Sequence, residues 1–475
     1  MLQSSRLRSK FTFLCLAAFC LAAPADVIHL KSGRNINADS TRQVDGRVEY
    51  TIGENTFAIP ESLVERIDAG GHGSVPSETP PSPAEDIPPV QGQVDARQDL
   101  SARIIHDGRV DVITLKAIES EGVPQASAVA NFIAANFEEK RNHLADAAFY
   151  LNAALTFSPE HVVLLEHYAS VLLQLGKPAE AVSYAERAAR ASPQAADAFA
   201  ILGYVYYKNE RYRDAIAAWK KSMALHPDDK VQELLARVER ESKAEAEFRQ
   251  QQSNHFVLRY EGSQSPDALR NDILAVLEAQ YNTLQRDLGV APQRNISVAL
   301  YTQETFFDVT QAPAWSAALN DGKIRVPISG LVSVTPALTR VLRHELTHSF
   351  IAQITHSHVP QWLNEGMAQL EEPRSTAPLG ARLAALYATE HQVPLNQLED
   401  SFQSYGQEEA SVAYAEALAA VECIRANHGM SNLAQLLQRL GNGESAESAL
   451  RNATHGGYAQ LEAEIAEYLK HNYGQ

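Results

Sequence analysis

Three stretches of one pattern recur in this chain at a fixed distance. DAAFYLNAALTFSP (146–159), EAVSYAERAARASP (180–193) and DAIAAWKKSMALHP (214–227) each open with an acid followed by alanine, at Ala147, Ala181 and Ala215. Each closes on proline, at Pro159, Pro193 and Pro227, and the spacing is 34 residues both times. A period of this length describes a supersecondary unit that cannot bury its apolar face alone and must stack on its neighbours. Small alanines let paired helices approach closely, and a proline stops the second helix of each pair. AILGYVYYKNERYRDA (200–215) supplies Leu-Gly, Tyr and Ala positions of the same unit. Residues 98–245 are therefore expected to form an α-helical solenoid.

This unit resembles the tetratricopeptide repeat, and the resemblance implies a face that holds a protein partner. The sequence on the N-terminal side reads differently. MLQSSRLRSK carries Arg6, Arg8 and Lys10 and no acid, Phe11 to Ala23 are apolar, and small residues stand at Ala23 and Ala25. That is the pattern of a secretory leader over residues 1–25, cleaved after Ala25 and too short for a membrane span. Leu14 and Phe19 precede Cys15 and Cys20 where a lipoprotein signal needs a small residue. Cleavage removes three positive charges and takes the net charge from −17 to −20. Only Cys423 then remains, so no internal disulfide is expected. No later run approaches the roughly 20 apolar residues of a spanning helix. The expectation is an exported chain, periplasmic or secreted, with no integral membrane span.

Residues 26–69 read as a small β module. VIHLKSG, RVEYTIG and NTFAIP are strand-like, with hairpin signals at Asp45-Gly46 and Gly53 to Asn55. Residues 70–97 are rich in Pro, Gly and Ser without apolar periodicity, the composition of a linker. An acidic chain with no basic block gives no sign of nucleic-acid binding, because phosphate contacts need clustered Lys and Arg, and no nucleic-acid partner is expected.

Residues 250–475 are mixed α and β, giving an α+β chain overall. NHFVLRYEG, NISVALYT and GKIRVPIS read as strands, and PDALRNDILAVLEAQYNTLQRDLG as a helix ending at Gly289. In TPALTRVLRHELTHSFIAQ, Thr335 suits an N-cap and Pro336 the first helical position. Leu338, Leu342, Leu346 and Phe350 form one apolar stripe, and Val341, His344, His348 and Ile351 a second, so the helix is buried. His344 and His348 lie one turn apart on one side, a spacing at which two imidazoles can bind one zinc. Glu345, rotated roughly 100° from His344, stands beside such a metal, where it can take a proton from its water. Zinc needs a third protein ligand. WLNEGMAQLEE (362–372) offers Glu365, with Glu371 and Glu372 as surface alternatives.

H-E-x-x-H followed by N-E-G-x-A resembles the gluzincin metallopeptidases, the group of thermolysin and the zinc aminopeptidases. Residues 250–475 are similar to the peptidase-MA-like domains found beside tetratricopeptide repeats in exported bacterial proteins. The resemblance implies a thermolysin-like α+β domain with one Zn2+ per chain, bound by His344, His348 and Glu365. It implies Glu345 as general base on a zinc-bound water, protein or peptide as substrate, and KIRVPI as the sheet edge that pairs with it. Gluzincins add a Tyr or His that stabilises the oxyanion. Tyr414, in SVAYAEALAAVECI, is the choice here, with Tyr387, Tyr405 and His391 as rivals. The Gly-Ala-Met-Glu-Asn type motif of the aminopeptidases has no counterpart, which favours endopeptidase activity. His356 and His358 read as solvated loop residues, and Cys423 as a buried small hydrophobe. The competing expectation is a catalytically silent, repeat-containing scaffold. Another is a metal-dependent hydrolase of other esters or amides.

Overall fold

The structure is a computed structural model. It describes residues 25–31, 35–38, 40–44, 46–52, 55–61, 64–71, 98–106, 108–262, 265–292, 294–311, 318–320, 322–328, 331–400, 402, 405 and 407–474. Nearly all of the leader and linker segments read from the sequence lie outside these residues. The chain divides into two compact units, residues 1–77 and 78–475.

Among the described residues the first unit holds six strands: β1 (Ala25–Leu30), β2 (Asn35–Ala38), β3 (Ser40–Val44), β4 (Arg47–Ile52), β5 (Asn55–Pro60) and β6 (Val64–Gly71). They form two antiparallel three-stranded sheets, β2-β1-β6 and β3-β4-β5. Gly46 turns the β3–β4 hairpin with φ of 75°, a conformation glycine adopts without steric cost. Ile28, Val48 and Tyr50 are buried.

The second unit opens with α1 (Gln98–Ile104), a short hairpin of β7 (Ile105–His106) and β8 (Arg109–Val110), and α2 (Val112–Ser120). The hairpin was not expected in a helical region. Three helix pairs follow: α3 (Pro124–Lys140) with α4 (Leu144–Phe157), α5 (Val162–Gln174) with α6 (Pro178–Ala191), and α7 (Ala196–Lys208) with α8 (Tyr212–Leu225). The three aligned stretches are the second helices of the pairs, which start 34 residues apart. Ala147, Ala181 and Ala215 are fully buried. The residue that turns each pair is left-handed: Asn142, Gly176 and Glu210, again at the repeat spacing. In the last pair Trp219 packs over Gly203, where a Cβ would lie 2.7 Å from the indole Cγ.

Helix α9 (Asp229–Ala244) leads into a five-stranded sheet of order β12-β13-β11-β10-β9. Its strands are β9 (Arg249–Gln252), β10 (Phe256–Tyr260), β11 (Ile296–Tyr301), β12 (Leu319–Asn320) and β13 (Ile324–Pro327). The three strands read from the sequence, β10, β11 and β13, run parallel. The short antiparallel β9 and β12 add the flanks. KIRVPI is therefore an inner strand, and β12 is the edge on that side among the described residues. Gly322, at φ of 97°, folds β12 back onto β13 and so displaces KIRVPI from the edge. Helices α10 (Asp267–Leu288) and α11 (Gln303–Thr310) connect the strands. Helix α12 (Pro336–Thr355) and α13 (Gln361–Glu371) follow, then α14 (Ala377–Ala388), α15 (Gln407–His428), α16 (Met430–Gly441), α17 (Ala446–Thr454) and α18 (Tyr458–Tyr473). One apolar core joins the sheet and α10 to the helices from α12 onward, through residues such as Leu342, Phe350, Trp362, Met367 and Leu418.

Candidate active site

Helix α12 begins where its sequence signals it. The Thr335 hydroxyl accepts the Leu338 N–H at 3.1 Å, and Pro336 takes a position where its missing N–H costs nothing. The stripe Leu338, Leu342, Leu346 and Phe350 is buried in the main core. The helix ends at His356, left-handed with φ of 52°. Helix α13 then returns across α12 after Pro360. Its close neighbour is α15: a Cβ on Gly366 would lie 2.6 Å from Val421 Cγ2 and 2.9 Å from the Ala417 carbonyl carbon. Only glycine lets the two helices approach this closely, and that approach sets where Glu365 stands.

The two helices bring His344, His348 and Glu365 together, with one ligand atom of each within 4.8 Å of the others. His344 Nε2 lies 3.6 Å from Glu365 Oε2, and His348 Nε2 lies 3.8 Å from Glu365 Oε1. The inner nitrogens are occupied: His344 Nδ1 meets Glu372 Oε2 at 3.1 Å, and His348 Nδ1 meets Asn364 Oδ1 at 2.9 Å. Glu372 is held in turn by Arg374 at 2.8 Å, and Gln361 donates to Glu365 Oε1 at 2.9 Å. Among the described residues the facing atoms have no hydrogen-bond partner: His344 Nε2, His348 Nε2, Glu365 Oε2 and Glu345 Oε1. All four residues are at most 3 % exposed. Buried polar atoms without partners are costly. Imidazoles held at Nδ1 with Nε2 turned to a carboxylate are the arrangement that a bound metal satisfies. The donor set fits a divalent ion.

The electrostatics agree. Burial lifts the Glu345 carboxyl to about 8 against the opposing pull of His344, and repulsion from Glu365 and Glu372 adds smaller contributions. Burial depresses His344, but the neighbouring carboxylates of Glu365 and Glu372 prevail and carry it to about 10. Burial depresses His348. A dication among these groups reverses the local balance and keeps both imidazoles neutral.

Several residues stand elsewhere than their sequence suggests. Glu371 and Glu372 are not surface groups. Both are buried, Glu371 against Arg343 and Glu372 behind His344, because α13 packs into the core along its whole length. Asn320 went unread. Its side-chain amide donates to the Glu345 carbonyl at 2.6 Å and to Ser349 Oγ at 2.7 Å, which ties the edge strand to α12. The Asn-Asp-Gly turn signal was the available clue. Tyr414 is buried on α15, its ring edge-on to Phe402 and its carbonyl bonded by Gln369 at 2.9 Å. Tyr405 stacks on the same Phe402. Tyr387 is buried near Glu416, and His391 is exposed with Nδ1 on the Thr389 carbonyl. His358 is exposed and His356 half-buried in the turn after α12. Cys423 is buried, its thiol pushed up to about 12 by burial and by Glu464.

Residues 278–471, from within α10 to within α18, match the model of the Peptidase MA superfamily. The C-terminal domain is a Peptidase MA superfamily domain. Residues 134–196 and 168–230 match the tetratricopeptide repeat, over the three helix pairs. No curated protein matches the chain. The Peptidase MA domain contains all of His344, Glu345, His348, Glu365 and Tyr414, and its superfamily is typically metal-dependent. Among the described residues no helix is long and apolar enough to cross a membrane.

Proposed function

We propose that this chain is an exported zinc metallopeptidase that cuts within polypeptide chains, with its repeats recruiting substrate or partner proteins. The observation that carries this reading is the pair of imidazoles facing Glu365, each held at Nδ1 and, among the described residues, unpartnered at Nε2. His344, His348 and Glu365 hold the metal, and zinc suits two imidazoles and one carboxylate with a position left open. When bound, zinc polarises the scissile carbonyl and makes water acidic enough to supply a nucleophile near neutral pH.

The chain's own groups do the rest. Glu345 accepts the proton of the attacking water on Oε1 and passes it to the leaving amine as the C–N bond breaks. Its burial, which favours the protonated carboxyl, suits both halves of that transfer. Tyr414 donates its hydroxyl to the developing oxyanion. The edge strand β12, with Asn320 fastened to α12, aligns an extended substrate by main-chain hydrogen bonds. Export rests on the leader pattern of residues 1–25.

The test is digestion of a denatured-protein peptide library by purified residues 26–475, beside Glu345→Gln, with cleavage sites read by mass spectrometry. Internal cuts by the wild type that are absent in the variant are expected. Removal of single N-terminal residues alone would replace the endopeptidase reading with an aminopeptidase. A folded, zinc-loaded wild type that makes no cut would leave a scaffold or a hydrolase of other substrates.

A further inference from the structure

The hairpin that carries β12 is held from two sides. On one side Asn320 binds α12, and its Oδ1 also accepts the Gly322 N–H at 3.0 Å, shaping the turn. On the other side the hairpin faces the repeat array. Leu319 belongs to a small core with Tyr301, Phe306, Phe307 and Val309, against which Ala244 and Phe248 pack from the end of α9. This core is separate from the main one.

The turn residue Lys323 completes the second attachment. It is buried, and its ammonium donates to Glu241 Oε1 at 2.8 Å, to Glu245 Oε1 at 3.0 Å and to Tyr212 Oη at 2.5 Å. Glu241 is on α9, Tyr212 begins α8, and Glu245 caps α9. Arg325 of β13 reaches the same Glu241 oxygen at 2.9 Å, and Tyr301 of β11 donates to Glu245. Arg259 of β10 pairs with Glu210, the left-handed turn residue of the last repeat, and lies 3.6 Å from Glu245. Three cations of the peptidase sheet thus meet three carboxylates of the last repeat and α9. Burial disfavours charge on Lys323, but Glu241 and Glu245 outweigh it and hold the ammonium protonated. The array also meets the peptidase domain at its first turn. A Cβ on Gly443 would lie 2.9 Å from the Asn142 carbonyl oxygen and 3.0 Å from that of Arg141.

A charge network this buried adds little net stability over an apolar contact of the same shape, and the best-attested use of such networks is to specify one geometry. Its location decides what it fixes. Lys323 sits three residues from Asn320, in the turn of the strand that would receive substrate.

We propose that Lys323 and Glu241 are positioning residues of the peptidase, holding the β12–β13 hairpin from the repeat side so that an extended substrate meets a preset edge. This inference rests on the peptidase reading of the same site. The last repeat and α9 are then part of the substrate-binding machinery and not a detachable recruiting arm. The hairpin contacts substrate alike before and during reaction, so loosening it weakens binding more than chemistry.

The test is Lys323→Met in the full chain. It is the mildest cut, because Glu241 keeps Arg325 and Glu245 keeps Arg259. Amide hydrogen exchange over residues 319–327 is expected to speed by about tenfold, with exchange in α16–α18 unchanged. On a fluorogenic peptide KM is expected to rise by about tenfold with kcat within about twofold of wild type. Arg187→Ala, which cuts a repeat ion pair with Glu160 away from the hairpin, should move none of these. A folded Lys323→Met with wild-type exchange at 319–327 would overturn the inference, as would a fall in kcat at unchanged KM. Should that variant fail to fold, Tyr212→Phe, which removes only the hydroxyl on Lys323 and Glu241, is judged by the same two readouts. Exchange reads the hairpin whether or not the chain cuts peptides. An inactive wild type would therefore sink the peptidase reading, while the tether is still judged by exchange.

Discussion

Gly366→Ala is a small change with a large expected effect. The added methyl would stand 2.6 Å from Val421 Cγ2, where ordinary contact begins at 3.4 Å, so α13 must withdraw from α15 by 0.8 Å. The Ala417 carbonyl that it also meets is backbone and cannot rotate aside. Overpacking of this kind costs about 1–3 kcal/mol. The better helix propensity of alanine returns up to about 1 kcal/mol. A net loss of about 1–2 kcal/mol should lower Tm by about 2–6 °C. The functional loss is larger, because Glu365 travels with the helix. Carboxylate–zinc bonds are about 2.0–2.2 Å long, and a displacement near 1 Å breaks one. Zinc affinity is expected to fall by about 10–100-fold. Competition against a fluorescent chelator, with thermal melts of the metal-free protein, checks both numbers. Unchanged affinity together with an unchanged Tm would refute the claim that this approach sets the third ligand.

Further expectations concern the surroundings of the site. Asn364→Ala and Glu372→Ala each free one imidazole Nδ1 and should weaken zinc binding by about 10–100-fold in the same assay; wild-type affinity in both would show that the outer bonds do not orient the ligands. Tyr414→Phe should lower kcat by about 100-fold with KM little changed, and an unaltered kcat would remove Tyr414 from the mechanism. Burial lifts the Glu416 carboxyl from 4.5 to about 7, with the Val393 N–H opposing and Glu462 adding to the rise. A folded-state pKa above the unfolded one contributes stability below about pH 4.5 that is lost as pH rises through about 7. Glu416→Gln should therefore raise stability by on the order of 3 kcal/mol near pH 8 and change it little near pH 4. Equal shifts at both pH values would contradict this.

The repeats were legible because their period and their prolines are local signals. Second helices at 34-residue spacing follow from a pattern that each copy carries by itself. The zinc-type motif was legible for a similar reason, since helical geometry alone puts His344 and His348 on one side. Glu365 needed a resemblance, because the contact between α12 and α13 is tertiary. The charged residues misled most. Glu371, Glu372, Glu241 and Lys323 look solvated in a sequence, and each is buried against an opposite charge or a histidine from a distant segment. Composition cannot reveal a partner 78 or more positions away, as between Lys323 and Glu245 or Glu241. The short strands β9 and β12 were missed because two to four residues carry no periodicity. With β12 unread, KIRVPI, which the resemblance implied as the sheet edge, had no neighbour on that side.

The most direct measurement is metal content per chain after dialysis against buffered zinc, for the wild type, Glu345→Gln and His348→Ala. One tightly held zinc in the wild type and in Glu345→Gln, and none in a folded His348→Ala, is the predicted result. A folded wild type without stoichiometric metal, or a His348→Ala that retains it, would contradict the assignment of His344, His348 and Glu365 as the metal site.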